Sequence, residues 1–157
     1  MKSNNITPKI SEAPDNLVDV TRKRIRRGPS PRTIQKRAYI VLDYLSCHRC
    51  ELSIVLCDDA FIHHLNQSYR NKDAATDVLS FPLNDAPLNA PVDTMLGDII
   101  ISVDTANRQA AELGGKLLDE VTSLLVHGIL HLMGHTHDNH DNEKKMNTLA
   151  MQILKLF

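Results

Sequence analysis

Five of the chain's eight histidines lie between positions 127 and 140, in the run His127-Gly-Ile-Leu-His131-Leu-Met-Gly134-His135-Thr-His137 followed closely by His140. Side chains four apart on a helix project from one face a turn apart, so His127 and His131 are placed to reach one divalent ion. Gly134 can adopt the left-handed conformation that ends a helix and turns the chain back, which offers a third imidazole. His137 is the favoured third ligand, with His135 and His140 as alternatives. Three nitrogen ligands and an open fourth position make a catalytic zinc arrangement, whereas structural zinc generally has four protein ligands rich in Cys. One zinc ion per chain, or another divalent first-row metal, is therefore the expected cofactor.

The spacing H-x-x-x-H-x-x-G-x-x-H is that of the metzincin proteases, whose general base is a Glu directly after the first His. Gly128 occupies that position and has no side-chain atom to accept a proton. Peptide hydrolysis by that route is disfavoured, although the metal scaffold is kept.

These imidazoles must be positioned by a helix running from about Leu117 to Gly134. Upstream, Ser30-Pro31 reads as a helix start, with Ile34, Ala38, Val41, Leu42 and Leu45 at helical spacing. Leu52, Ile54 and Leu56 alternate as in a strand. A helix capped near Asp58 or Asp59 should turn Ile62, Leu65 and Tyr69 inward. Val78 to Leu83 and Gly97 to Val103 read as further strands, separated by a loop from Asn84 to Met95. Asp104 can cap a helix ending at Gly114-Gly115, and an amphipathic helix from about Asn142 to Phe157 closes the chain. Residues 1–20 show little periodicity and read as an irregular N-terminal arm. The class is α+β, in one domain over residues 1–157.

The 157 residues are 42% hydrophobic and 24% charged, a globular composition, and an aromatic share of only 4% argues against stacking platforms for bases. No stretch is long and apolar enough for a membrane span, and Met1 to Ile10 is too polar for a secretory signal, so a cytoplasmic protein is expected. Cys47, Cys50 and Cys57 are odd in number in a domain whose size needs no staples, so reduced thiols are expected, and Cys47-x-x-Cys50 has no second such pair to complete a zinc knuckle. The net charge of −1 conceals an asymmetry: Arg22, Lys23, Arg24, Arg26, Arg27, Arg32, Lys36 and Arg37 form a block without acidic residues, leaving 10 basic against 19 acidic residues elsewhere. Such a block suits a phosphate backbone and is expected to contact RNA without reading its sequence.

The histidine run resembles the H-G-x-L-H-L-x-G-x-D-H signature of the bacterial YbeY endoribonucleases, with Thr136 standing where that family has Asp. The stretch Asn66-Gln-Ser-Tyr69-Arg70-Asn-Lys-Asp73-Ala-Ala-Thr76-Asp77-Val-Leu-Ser80-Phe81-Pro82 resembles a second family block, N-x-x-Y-R-x-x-D-x-x-T-D-V-L-S-F-P. Leu96-Gly97-Asp98-Ile99 to Ser102 and Gln109-Ala110 fit later segments. The resemblance implies a zincin-like fold with a small mixed sheet packed between helices. It also implies a metal-dependent, single-strand-specific endoribonuclease that matures the 3′ end of 16S ribosomal RNA and serves ribosome quality control. Its expected partners are ribosomal RNA and the small ribosomal subunit, and its functional pair matches Arg70 and His127. A guanidinium near a metal could clamp the scissile phosphate, although Arg70 could instead form a surface ion pair with Asp73. Two other readings are a zincin-like hydrolase of another bond, such as a peptidase, and a ribosome-assembly factor with mainly structural zinc.

Overall fold

The computed structural model describes residues 16–83 and 93–157. Its elements are β1 (Leu17–Lys23), α1 (Pro31–Tyr44), β2 (Glu51–Cys57), α2 (Asp59–Arg70), β3 (Val78–Pro82), β4 (Met95–Ser102), α3 (Val103–Glu112), α4 (Leu117–Leu132) and α5 (His140–Leu154). The strands form one mixed sheet in the order β1-β2-β4-β3, in which only β3 is antiparallel to its neighbour. The observed architecture is thus the expected α+β arrangement of a small mixed sheet between helices.

The two faces of the sheet bury different residues because side chains alternate along a strand. Leu52, Ile54 and Leu56 of β2 and Ile99 and Ile101 of β4 join Ile34, Ala38, Val41 and Leu42 of α1, much of α4, and Met146, Ala150 and Ile153 of α5. On the other face Cys57, Leu79 and Ile100 meet Ile62 of α2. Nine residues of α4 are buried, so this helix is held nearly all round, and it lies over β3 and β4. The three cysteines are buried thiols. Burial, helped by the adjacent Cys50, pushes the Cys47 thiol up to about 12, which leaves it unreactive.

Several local expectations are corrected. Residues 17–20 belong to the edge strand β1 instead of an irregular arm, and residues 1–15 lie outside the described part. α3 is capped by Ser102, whose hydroxyl accepts the Thr105 N–H at 3.2 Å, while the Asp104 carboxylate is taken by the Asp59 N–H at 3.0 Å. Tyr69 does not point inward: it is 69% exposed and meets the edge of Phe81 at 5.4 Å between centroids. β4 begins at Met95 instead of Gly97, and α5 begins at His140 instead of about Asn142. The expected loop from Asn84 falls for the most part on residues 84–92, outside the described part.

Candidate active site

α4 delivers His127 and His131 on one face, and the end of the helix is built to bring the chain back toward them. The Gly134 N–H donates to His131 O and the His135 N–H to Leu130 O, both at 3.0 Å, with Gly134 at φ 92°. This is the Schellman pair of bonds with glycine in the left-handed position. The reversal stands His137 edge-on to His131, with 5.0 Å between ring centroids.

The hydrogen bonds of the first two imidazoles fix their tautomers. His127 Nδ1 lies 2.8 Å from Ser123 O and His131 Nδ1 lies 3.1 Å from His135 O. A carbonyl oxygen only accepts, so each Nδ1 carries the proton and each Nε2 of the neutral ring keeps a lone pair for another partner. Burial, opposed by the hydrogen bond to the His135 carbonyl and reinforced by His137 and His127 nearby, holds His131 below its ordinary imidazole value. That favours the neutral form a metal requires.

The donor chemistry of His127, His131 and His137 fits a divalent first-row metal, and the tautomers of the first two are set for one. Among the described residues, no three His, Cys, Asp or Glu side chains already stand at ligand spacing. His135 lies beside the same cleft, and His140 is exposed at the first position of α5. Thr136 Oγ1 donates to the Asp138 carboxylate at 2.6 Å, so that carboxylate is spent on the turn.

Two adjoining clefts of about 530 and 490 Å³ share Asp77, Val78, His131 and His137. The first carries Arg70 and Lys72, and the second carries Glu112, Glu120 and His127. The groove is therefore cationic at one end and acidic at the other, with imidazoles at the join. Arg70 does not pair with Asp73, which lies 2.7 Å from His63 Nε2. Instead its Nη2 donates to Ser80 O at 2.9 Å and its guanidinium stands 5.5 Å from the centre of the Phe81 ring.

Gly128 packs directly against Ile99 of β4. A Cβ there would lie 2.8 Å from Ile99 Cγ2 and 3.0 Å from its Cδ1. The position that carries glutamate in metzincins is closed against β4, so no side chain there faces the groove.

None of the eight basic residues from Arg22 to Arg37 lines either cleft. Two serve the fold: Arg22 Nη2 donates to Pro29 O at 2.6 Å and Gly28 O at 3.1 Å, and Arg37 Nη1 donates to Thr122 Oγ1 at 2.6 Å. Lys23, Arg24, Arg26, Arg27, Arg32 and Lys36 are exposed. Sequence reasoning did not single out Asn66, Lys72, Asp77 and Glu120 as groove residues; the spacing Asn66 to Arg70 on one helical face was the available signal.

Residues 20–157 match the family described as Endoribonuclease YbeY. The chain is 42% identical over 139 residues to the endoribonuclease YbeY of Aquifex aeolicus, an alignment covering 88% of each protein. It is 48% identical over 122 residues to that of Myxococcus xanthus, covering 78% of this chain, and 49% identical over 106 residues to the chloroplastic endoribonuclease YBEY of Arabidopsis thaliana, covering 67% of it. The matched portion is 41% of the Myxococcus protein and 18% of the Arabidopsis one. A solution structure of a Thermotoga maritima protein shares the fold, with a TM-score of 0.63 and 22% identity over 88% of this chain and 87% of that one.

Proposed function

The chain belongs to the endoribonuclease YbeY family, and on that premise we propose that it is a metal-dependent endoribonuclease cutting single-stranded RNA, with ribosomal RNA of the small subunit as its substrate in 3′-end maturation and quality control. The observation that carries this reading is the groove in which Arg70 and the imidazoles of α4 share one wall line through His131 and His137.

In the proposed site His127, His131 and His137 would hold one zinc or similar ion. When bound, such an ion polarises a phosphoryl oxygen or lowers the pKa of a water. The rest is the work of the chain itself. Arg70 and Lys72 draw the phosphate to the cationic end, and the fork of Arg70 matches phosphate geometry and offsets charge as it builds. Glu112 and Glu120 repel phosphate from the other end, so the strand is held with its scissile group beside the imidazoles. The exposed basic residues Lys23, Arg24, Arg26, Arg27, Arg32 and Lys36, with Arg22 and Arg37 beside them, add phosphate attraction outside the groove. Among the described residues no helix is long and apolar enough to cross a membrane. A ribosomal RNA substrate would place the protein in the cytoplasm, next to ribosomes.

The closed position at Gly128 speaks against the peptidase alternative, since the glutamate base of that route has no room. Incubation of zinc-loaded protein with unstructured RNA, duplex RNA and casein tests the reading. Cleavage of the first alone is expected, with a loss of about ten- to a hundredfold in Arg70→Ala, the range for a charged hydrogen bond. Intact RNA with cut casein would overturn it.

A further inference from the structure

α2 offers a polar stripe at helical spacing, His63, Asn66 and Arg70, and each member reaches the segment that follows the helix. His63 meets Asp73, Asn66 Nδ2 donates to Ala74 O at 2.8 Å, and Arg70 donates to Ser80 O. The three contacts differ in kind. The His63–Asp73 pair is at the surface, with 42% and 78% of its side chains exposed, and such pairs hold little. Asn66 is 4% exposed. A buried amide that has lost water must keep its partner, so its bond is the firm one.

The Asn66 backbone works in the same direction. Its carbonyl accepts the N–H of Asn71, which sits in the left-handed conformation at φ 57°, and that of Lys72 at 3.2 Å. One residue thus ends α2 directly after Arg70 and pins the middle of the connection to β3. The far end is fixed by Asp77, whose carbonyl accepts the Ser102 N–H and whose carboxylate accepts from Val78 N and Gln109 Nε2. Lys72, Thr76 and Asp77, which line the groove, all ride on this segment.

We propose that Asn66 is the positioning residue of the site: its buried amide holds the 71–77 segment so that Arg70 and Lys72 face the imidazoles of α4. The role rests on the endoribonuclease reading and adds to it a residue at the floor of the groove that is only 4% exposed and acts through the segment it holds. Displacing a clamp by about an ångström costs up to about a hundredfold in turnover while binding energy spread over a long strand is largely kept.

The test compares wild type with Asn66→Ala and with the milder Asn66→Ser, whose hydroxyl is too short to reach Ala74 O. Each is made alone and with Arg70→Ala, and assayed on unstructured RNA. Asn66→Ala is expected to lower kcat by about tenfold or more with KM changed less than about threefold, and to add less than about twofold once Arg70 is gone. A merely structural residue would lower activity equally on both backgrounds, and that result would overturn the link to Arg70. A second readout is independent of activity: the rate at which trypsin cuts after Lys72 in folded protein should rise in both Asn66 variants. Unchanged trypsin rates would overturn the anchor itself. RNA left intact by wild type would overturn the endoribonuclease reading, and the trypsin rates would still decide whether Asn66 holds the segment.

Discussion

Replacing Gly128 by alanine adds one methyl group where α4 lies directly on Ile99 of β4. The new Cβ would stand 2.8 Å from Ile99 Cγ2, inside any contact a packed interior tolerates. Ile99 has little freedom to yield, because it is fully buried on β4, between β2 and β3, and its β-branched side chain is stiff at χ1. Nor can α4 lift easily with nine buried residues holding it. Overpacking of this kind costs about 1–3 kcal/mol, while exchanging glycine for alanine inside a helix returns about 0.5–1 kcal/mol. The steric term wins, and Gly128→Ala is expected to be less stable by about 1 kcal/mol, or roughly 2–4 °C in melting temperature for a chain of this size. Ile99→Ala removes the three atoms nearest to the new methyl and by itself costs about 2–5 kcal/mol through the cavity it leaves. In that background Gly128→Ala should become neutral or stabilising, a coupling of at least about 1 kcal/mol in urea titrations of the four proteins. Additive losses in the double variant would refute the proposed contact, and a stabilised single variant would show that the helix is free to withdraw.

Purified protein is expected to carry one zinc ion, lost in His127→Ala, His131→Ala and His137→Ala alike; elemental analysis decides, and undiminished zinc in His137→Ala would move the third ligand to His135 or His140. Burial, with Asp77 nearby, raises Glu120 above the usual carboxylate range, against a smaller opposing effect of His127. A raised folded-state value favours the protonated form, so this contribution is present below the ordinary glutamate value and lost as pH rises through the folded one. Glu120→Gln in metal-free protein should therefore gain on wild type as pH rises above the ordinary glutamate value, and a urea-midpoint difference that stays constant with pH would refute the assignment. Replacing Arg24, Arg26, Arg27 and Arg32 by alanine should flatten the log–log salt dependence of RNA binding by about 0.7 for each phosphate no longer neutralised and leave saturated turnover nearly unchanged. Unchanged affinity would reduce the block to a solvated face.

The helices were legible where one face is buried and the other is wet. Ile34, Ala38, Val41 and Leu42 mark the inner face of α1 so regularly that Ser30 and Pro31 could be read as its start. β1 was missed because its burial does not alternate cleanly: Val18 is inside, Leu17 is exposed, and the strand ends in Arg22 and Lys23, charges that read as the start of the basic block. Arg22 is tolerated in the strand because the Gly28 and Pro29 carbonyls take its guanidinium, a contact between residues six and seven apart that no periodicity encodes. The cap of α3 shows the same limit. Ser102 and Asp104 are both capping residues, and the choice between them was made by the Asp59 N–H, which occupies the Asp104 carboxylate from another helix.

The histidine site was legible for a different reason. His127 and His131 share a helical face, and Gly134 supplies the one conformation that reverses the chain within a turn, so everything that places them is local. Arg70 reaches the same groove only through the antiparallel pairing of β3 with β4, which sets Ser80 between Arg70 and α4: its carbonyl accepts from Arg70, and its hydroxyl lies 3.5 Å from Gly128 O. Sequence spacing could offer Asp73 as a partner because it is three residues away, but Asn66 diverts that segment to its own amide and His63 takes the carboxylate. The arginine is left with a backbone carbonyl that competes weakly for a guanidinium against an anion. A phosphate arriving in the proposed groove would therefore meet a cation that no carboxylate among the described residues is paired with, and that state follows from the fold of residues 66–80 instead of from any motif within them.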